Sequence, residues 1–138
     1  MANVHQRTRS DHATEMAEDY VEAIAEIMDH SGLCRSSDLV QRFNVTHATV
    51  NNTVGRLVRD GYVKTKPYQP LELTAKGKTL ASKCHERHEV VRAFLLAVGV
   101  SEATAIADSE GIEHHVSTET LQVMKQIVKT RVLPQTTD

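Results

Sequence analysis

Residues 35–61 contain two short amphipathic segments joined by a very short polar connection, and this spacing restricts the fold more than any other feature of the chain. The first segment, "RSSDLVQRF", predicts a short helix with Ser36 or Ser37 as its N-cap. Its predicted buried side consists of Leu39, Val40 and Phe43. The connection "NVTH" is long enough only for a tight turn. The pattern therefore predicts two helices that follow each other directly.

The second segment, "HATVNNTVGRLVRDG", predicts a helix, and a pattern typical of β-strands follows it. Thr46 can cap this helix and Gly61 can end it. Two β-prone pieces follow, Tyr62–Lys64 and Leu71–Leu73, with two prolines between them, which predicts a small β-hairpin. Helix, tight turn, helix and hairpin in this order indicate a winged helix-turn-helix, which is a DNA-binding fold. The predicted apolar face of the second helix consists of Val50, Val54, Leu57 and Val58.

The other face of this helix is small and polar, as a helix that enters the major groove requires. Asparagine can bind an adenine edge, and threonine can bind phosphate or contact a thymine methyl group. Residues 31–80 carry more basic than acidic side chains, whereas residues 1–30 are predominantly acidic. The predicted DNA-binding residues are Arg35, Ser36, Arg42, Thr46, His47, Thr49, Asn51, Asn52, Arg56, Lys64 and Lys66, with Thr53 and Arg59 on the same surface.

The remainder of the chain has helical periodicity. Residues 11–30 predict an amphipathic helix with one acidic side, preceded by a loose, flexible tail over residues 1–10. Beyond the hairpin, the pattern predicts a long helix from Thr74 to about Gly99 and two further helices capped by Ser101 and Ser117. We therefore expect a mainly α fold, with a winged helix-turn-helix domain over residues 1–75 and a helical domain over residues 76–138.

Three stretches of the predicted helices carry carboxylate and imidazole side chains at helical spacing. In "SEGIEHHVS" two glutamates and a histidine stand at i, i+3 and i+4, so one helix face would hold all three. Carboxylates with imidazole suit Mn²⁺, Fe²⁺ or Zn²⁺. Each stretch taken alone is also typical of a solvated helix surface. The residues concerned are Asp19 and Glu22, then His85 and His88, then Glu110, Glu113 and His114.

The motifs "EDYVEAI", "ERHEVVRAFL" and "EGIEHHVS" occur in the order and spacing of the manganese-responsive branch of the diphtheria-toxin-repressor family, which they resemble. "TVNNTVGRLVRDGYV" is similar to that family's DNA-recognition helix and its exit into the hairpin. The resemblance covers about residues 14–120. It implies a manganese-dependent transcriptional repressor, whose residues 76–138 bind metal and form the dimer.

The resemblance also implies a set of metal ligands. In the manganese branch this set holds two Mn(II) ions per subunit, and Fe(II), Zn(II), Co(II) or Cd(II) are possible substitutes. The iron-responsive branch has Met and Cys at the positions that resemble Asp19 and Glu110, whereas this chain has carboxylates there. His85 and His115 do not match ligand positions. The implied metal ligands are Asp19, Glu22, His88, Glu110, Glu113 and His114.

The implied partners are a palindromic double-stranded DNA operator, at genes of manganese uptake, and a second copy of the chain. No apolar run approaches the length of a membrane span, so we expect a cytoplasmic protein without a membrane partner. Two alternatives remain open. One is a winged-helix transcription factor that metal does not control. The other is a small metal-dependent hydrolase, although the chain has no HExxH, GxSxG or P-loop motif; we therefore expect no enzyme and no small organic substrate.

Overall fold

The structure is a computed structural model that describes the backbone of residues 4–131 and the side chains of residues 13–130. The predicted mainly helical fold with one small antiparallel hairpin is confirmed. The chain divides into two compact units, Met1–Ser82 and Lys83–Asp138, called here the N-terminal and the C-terminal unit. The division lies inside the fourth helix, seven residues after the boundary expected from the sequence. Within the described residues no helix has the length and hydrophobicity needed to cross a membrane.

The N-terminal unit consists of three helices, a two-stranded hairpin and the beginning of a fourth helix. Its core is aliphatic, except that the ring of Tyr20 stacks on that of Phe43, with centroids 4.5 Å apart and planes inclined by 11°. Burial of such side chains is the main source of stability in a unit of this size. The elements are α1 (Val4–Ser31), α2 (Ser36–Phe43), α3 (His47–Arg59), β1 (Val63–Lys64), β2 (Glu72–Leu73) and the start of α4 (Ala75–Ala97).

Helix α1 begins earlier than the sequence predicted. A loose tail was expected over residues 1–10, whereas the helix already starts at Val4; residues 1–3 lie outside the described part of the chain. Residues 4–10 contain neither proline nor glycine. Adding residues to a helix that already exists requires no new nucleation. The helix can therefore continue over residues 4–10 although these residues form no apolar face.

Three of the predicted helix caps are confirmed and one is wrong. Thr46 accepts a hydrogen bond from the backbone N–H of Thr49 at 3.1 Å, and Ser101 and Ser117 cap the later helices in the same way. For α2 the sequence predicted Ser36 or Ser37, but the cap residue is Arg35. The backbone N–H of Arg35 donates to a carboxylate oxygen of Asp38 at 2.8 Å. The aspartate at the third helical position thus supplies half of a capping box.

The hairpin, called here the wing (residues 62–73), has a ladder of only two residue pairs. An isolated bridge extends it on one side, where the backbone N–H of Leu71 donates to the carbonyl oxygen of Cys34 at 2.8 Å. The wing is therefore attached to the chain segment that leads into α2. The paired residues are Val63 with Leu73 and Lys64 with Glu72.

The base of the wing is fixed to both neighbouring helices. Gly61, with φ of +86°, ends α3 in the left-handed region that glycine adopts without strain. Thr74 donates its hydroxyl to the carbonyl oxygen of Gly61 at 2.6 Å and accepts from the backbone N–H of Gly77 at 3.0 Å. Lys76 contacts the ring of Tyr62 at 4.3 Å from its centroid. These contacts join the end of α3 to the first turn of α4.

The C-terminal unit is entirely helical in its described part. It contains the remainder of α4, α5 (Glu102–Ile112), a 3₁₀ turn (Glu113–His115) and α6 (Thr118–Arg131). Its buried residues include two polar ones, Ser109 and Glu113, beside small and aliphatic side chains. Several large apolar side chains of this unit are exposed, namely Leu96, Val98, Ile106, Ile112 and Val123.

We predict that Gly77→Ala destabilises the protein although alanine is the better helix former. A Cβ at this position would lie 2.2 Å from the carbonyl oxygen of Tyr62, so the wing base or α4 must shift, at a cost of about 2 kcal/mol or more. Gly55→Ala is the matched control, because nothing lies within 4 Å of its Cβ. It should stabilise α3 by up to about 1 kcal/mol. Urea unfolding of the three proteins measures both; equal effects would contradict the close approach at Gly77.

Candidate functional site

Helix α3 has the two faces that the sequence predicted, with two exceptions. Asn51, Asn52 and Arg56 are exposed on its outer side together with the residues of its first turn. Thr53 was expected among them, but it is only 4% exposed and belongs to the core. Val58 was expected inside and is 39% exposed. The buried residues of α3 are Val50, Thr53, Val54 and Leu57. The helix is therefore rotated slightly about its axis relative to the apolar face that the sequence predicted.

A groove lies between α3 and the wing and brings together residues that are distant in sequence. Ser36 from the start of α2, Asn51 from α3 and Lys66 from the wing all line it. All three were predicted as DNA-binding residues. Apolar side chains of α3 and the wing line the groove as well. Its polar side chains suit a sugar–phosphate backbone, because lysine binds phosphate and the amide and hydroxyl groups form hydrogen bonds.

Tyr68 at the tip of the wing also lines this groove, and sequence reasoning missed it. Its side chain is 97% exposed and its φ is +62°. A bulky residue in the left-handed region is uncommon, and such strain is found preferentially at functional sites. The signal in the sequence was the stretch "KPYQP", which presents an aromatic ring between two prolines at a turn.

The basic residues of this unit have different surroundings. Arg35, Arg56, Lys64 and Lys66 are exposed. Arg42 was predicted to bind phosphate, but its guanidinium forms an ion pair with Glu26 of α1. Both side chains of that pair are nearly half exposed, so the pair itself contributes little stability. Glu26 would therefore compete with phosphate for the guanidinium of Arg42. Within the described residues, Arg35, Arg56, Lys64 and Lys66 form no such ion pair.

In the C-terminal unit one carboxylate oxygen lies between two imidazoles. Oε1 of Glu113 is 3.4 Å from Nδ1 of His88 on α4 and 4.0 Å from Nε2 of His114 in the 3₁₀ turn. The side chains of Glu113 and His114 are 1% exposed, and that of His88 is 16% exposed. Three of the six predicted metal ligands thus come together in the interior of this unit. A buried carboxylate is costly unless positive charge or hydrogen bonds compensate it.

This cluster fits a divalent cation. Nδ1 of His88 is buried and forms no hydrogen bond within the described structure. Two ligands that bind one ion at about 2.1 Å are about 3.0 Å apart at a right angle and about 3.4 Å apart at a tetrahedral angle. The separation of 3.4 Å between His88 Nδ1 and Glu113 Oε1 lies in this range. The oxygen and nitrogen donors suit Mn²⁺, Fe²⁺ and Zn²⁺.

Glu110 was predicted to lie on one helix face with Glu113 and His114, but it is not buried with them. The i, i+3, i+4 argument assumed a continuous α-helix, but α5 ends at Ile112 and a 3₁₀ turn begins at Glu113. Glu110 is exposed while Glu113 is buried. Residues three apart in an α-helix are offset by about 60° around its axis, so one of them can face the interior while the other faces solvent.

The remaining predicted ligands, Asp19 and Glu22, are half-buried and lie one turn apart on α1. Glu15, which sequence reasoning did not select, has a carboxylate oxygen within 4.8 Å of one from Asp19. Its position four residues before Asp19 was the available signal, since i and i+4 share a helix face. Helix α1 therefore offers a row of three carboxylates, of which two were predicted.

The buried thiol of Cys34 does not offer a thiolate to a metal ion. Both cysteines are buried, and they form no disulfide with each other. Burial, together with the negative charge of Asp38, raises the pKa of Cys34 from 9.0 to about 11. The thiol therefore stays protonated at neutral pH, whereas a metal ligand must be the thiolate. This agrees with the expectation that the metal donors are oxygen and nitrogen alone.

Two family models match the chain and together cover most of it. Residues 12–71 match the model described as iron dependent repressor, N-terminal DNA binding domain. Residues 74–132 match the model described as iron dependent repressor, metal binding and dimerisation domain. The junction of the two matches coincides with the start of α4.

Individual relatives agree with these matches. The chain is 40% identical over 119 residues to the transcriptional regulator MntR of Escherichia coli O6:H1, which spans 86% of this chain and 77% of that protein. The structure of the manganese regulator SloR matches with a TM-score of 0.72 at 22% identity, over 82% of this chain and 53% of that one. A manganese-dependent transcriptional repressor in complex with manganese matches with a TM-score of 0.71 at 24% identity, over 86% and 54%.

The solved structures support the fold alone at these identities. The chain spans about half the length of both of them. The winged helix-turn-helix followed by a helical unit, as expected from the sequence, is thereby confirmed.

We predict that Mn²⁺ stabilises the protein against heat and that Glu113→Gln removes most of this effect. The substitution keeps the shape of the side chain but removes its charge. At free Mn²⁺ 100 times the Kd, binding adds about 2.7 kcal/mol, and a hundredfold loss of affinity leaves less than about 0.5 kcal/mol. Calorimetric unfolding with and without Mn²⁺ measures the difference.

Glu89→Gln is the control, because Glu89 is an exposed glutamate on α4 that pairs with Arg92 at 3.4 Å. It should keep the response to Mn²⁺. An equal response in wild type and Glu113→Gln would show that Glu113 is not a ligand.

Proposed function

The chain belongs to the iron-dependent repressor family, and we propose that it is a manganese-dependent transcriptional repressor that binds an operator as a homodimer. The family consists of DNA-binding transcriptional regulators, which are not enzymes, so the hydrolase alternative is excluded and the expectation of no catalysis is confirmed. The match to a metal binding and dimerisation domain disfavours a factor that metal does not control. The observation that carries the proposal is the buried Glu113 oxygen between the imidazoles of His88 and His114.

Manganese is the proposed signal for two reasons. The donor set contains no available thiolate, and carboxylate donors suit Mn²⁺ better than softer ions. Two solved structures of similar fold are described as a manganese regulator and a manganese-dependent repressor. Raw affinity alone does not select Mn²⁺, because it binds most weakly in the first-row series. Selection must therefore come from coordination number and metal availability; Fe(II), Zn(II), Co(II) and Cd(II) are proposed as substitutes.

The proposed ligand set has a core in the C-terminal unit and further carboxylates beside it. His88, Glu113 and His114 form the core, since they already cluster. Asp19, Glu22 and Glu110 stay proposed ligands because of their motif positions, and six such ligands would suffice for two ions per subunit. When bound, the metal supplies the positive charge that the buried carboxylate needs.

The proposed DNA interface is the outer face of α3 together with the wing. Asn51 and Asn52 are the candidates for reading base edges, and the exposed lysines and arginines are the candidates for binding phosphates. Tyr68 joins this set because it is exposed at the tip of the wing and lines the groove beside Asn51. Arg42 stays in the set, although Glu26 competes for it.

The proposed dimer forms through the C-terminal unit. The matched domain is a dimerisation domain, and this unit exposes five large apolar side chains, which is typical of an interaction surface. A two-fold dimer binds a palindromic operator whose half-sites are about one helical turn, or a multiple of it, apart. We propose that such operators control genes of manganese uptake.

The test of the proposal is DNA binding at controlled free Mn²⁺. Operator fragments are enriched from sheared genomic DNA in the presence of Mn²⁺ and then titrated with the full chain. We expect Mn²⁺ to raise the affinity for these fragments by a factor of ten or more. Because coupling between two ligands is reciprocal, the DNA should raise the affinity for Mn²⁺ by the same factor.

Glu113→Gln and Glu89→Gln serve again as the matched pair. The first should bind DNA without a response to Mn²⁺, and the second should behave as the wild type. Operator binding that is equally tight with Mn²⁺ and with a chelator would overturn the proposed function.

A further prediction separates base reading from backbone binding. Asn51→Ala should weaken binding to the enriched operator by about 1–3 kcal/mol and leave binding to random DNA nearly unchanged. Tyr68→Ala should weaken binding to both DNAs, because a side chain at the tip of the wing contacts the backbone or a groove wall rather than one base. Gln41→Ala, an exposed polar residue of α2 outside the groove, is the control. Equal losses of Asn51→Ala on both DNAs would exclude base reading by Asn51.

A further inference from the structure

Ser109 is a polar residue in the interior of the C-terminal unit. It lies on α5 and is 0% exposed, so its hydroxyl must find partners inside the protein. The hydroxyl donates to the carbonyl oxygen of Ile106, one turn earlier in the same helix, at 3.0 Å. The only proton of the hydroxyl is thereby used.

The same oxygen faces the imidazole of His88. Ser109 Oγ is 3.5 Å from His88 Nε2. With the hydroxyl proton on the carbonyl oxygen of Ile106, the hydroxyl oxygen accepts on this side, and this arrangement requires the hydrogen of the His88 ring to be on Nε2. In a neutral imidazole the other nitrogen, Nδ1, then has the free lone pair.

This assignment places a lone pair beside a carboxylate. Nδ1 of His88 is buried, forms no hydrogen bond within the described residues, and lies 3.4 Å from Oε1 of Glu113. Two such acceptor atoms repel each other unless a cation lies near both. With the opposite tautomer, Nδ1 would carry a hydrogen and could not bind a metal ion.

We propose that Ser109 is a positioning residue that holds His88 as the Nε2–H tautomer and thereby presents its Nδ1, next to Glu113, to a divalent cation. Histidine ligands of metals generally donate their second N–H to a fixed partner, and loss of that partner costs 10–100-fold in metal affinity. A hydroxyl is a weaker acceptor than a carboxylate, so the expected loss for Ser109→Ala is about tenfold. The inference rests on metal binding by the C-terminal unit as proposed above.

The first test does not involve metal. Long-range ¹H–¹⁵N correlation spectra of the metal-free full chain, at a pH where imidazole is neutral, report which nitrogen of His88 carries the hydrogen. We expect Nε2–H in the wild type and a mixture of the two tautomers in Ser109→Ala. An Nδ1–H tautomer or a doubly protonated ring in the wild type would overturn the inference, whether or not any variant folds.

The second test measures the dissociation constant of Mn²⁺ by calorimetry. Ser109→Ala should bind about tenfold more weakly. Ser101→Ala is the matched control, because Ser101 caps the same helix by accepting from the backbone N–H of Thr104 at 3.4 Å and does not face His88. It should weaken α5 without changing the tautomer or the affinity. An unchanged tautomer and an unchanged affinity in Ser109→Ala would also overturn the inference.

The two proposals fail in different ways. If the wild type binds Mn²⁺ but Ser109→Ala has the wild-type tautomer and affinity, only the role of Ser109 is lost. If the wild type shows no Mn²⁺-dependent DNA binding, the proposed function is lost, while the tautomer of His88 in the metal-free protein is still decided by its spectrum.

Discussion

The burial of one carboxylate determines the arrangement of the C-terminal unit. Glu113 is 1% exposed, and a charge withdrawn from water needs compensation at short range. Nitrogen donors stand on two sides of its Oε1, one from α4 and one from the 3₁₀ turn. Helix α5 ends at Ile112, and a 3₁₀ turn carries both Glu113 and His114. The buried serine of α5, Ser109, faces one of these imidazoles, with its Oγ 3.5 Å from Nε2 of His88.

The polar side chains proposed to bind ligands differ in solvent exposure between the two units. In the N-terminal unit most residues proposed to bind DNA are exposed, and their exchange of water for phosphate costs little. In the C-terminal unit the side chains of Glu113 and His114 are buried, and His88 contacts both Glu113 and Ser109. A solvated surface tolerates many substitutions with small effects, whereas a buried cluster has few positions that can change without a penalty. Sensitivity to mutation should therefore be distributed very unevenly between the units.

The helices, the hairpin and most helix caps could be predicted from the sequence, whereas the positions of several individual side chains could not. Amphipathic spacing and cap residues such as Thr46 depend on neighbours along the chain, and these predictions are confirmed. The 3₁₀ turn at Glu113 depends on the interior it faces, and no local pattern encodes it. Thr53 was misplaced because a threonine can serve either face of a helix. Tyr68 and Ser109 were missed because their importance lies in backbone conformation and in a contact across 21 residues of sequence.

The wing has a ladder too short to define its own register. Two pairs of residues do not distinguish the observed alignment from one shifted by a single residue, which would turn Val63 outward and Lys64 inward. The bridge between Cys34 and Leu71 at one side and the contacts of Thr74 at the base remove this ambiguity. Changes in chain length are consequently tolerated only at the tip, around Tyr68. Through insertions or deletions there, descendants of this protein could lengthen or shorten their reach along DNA while the alignment of the hairpin stays the same.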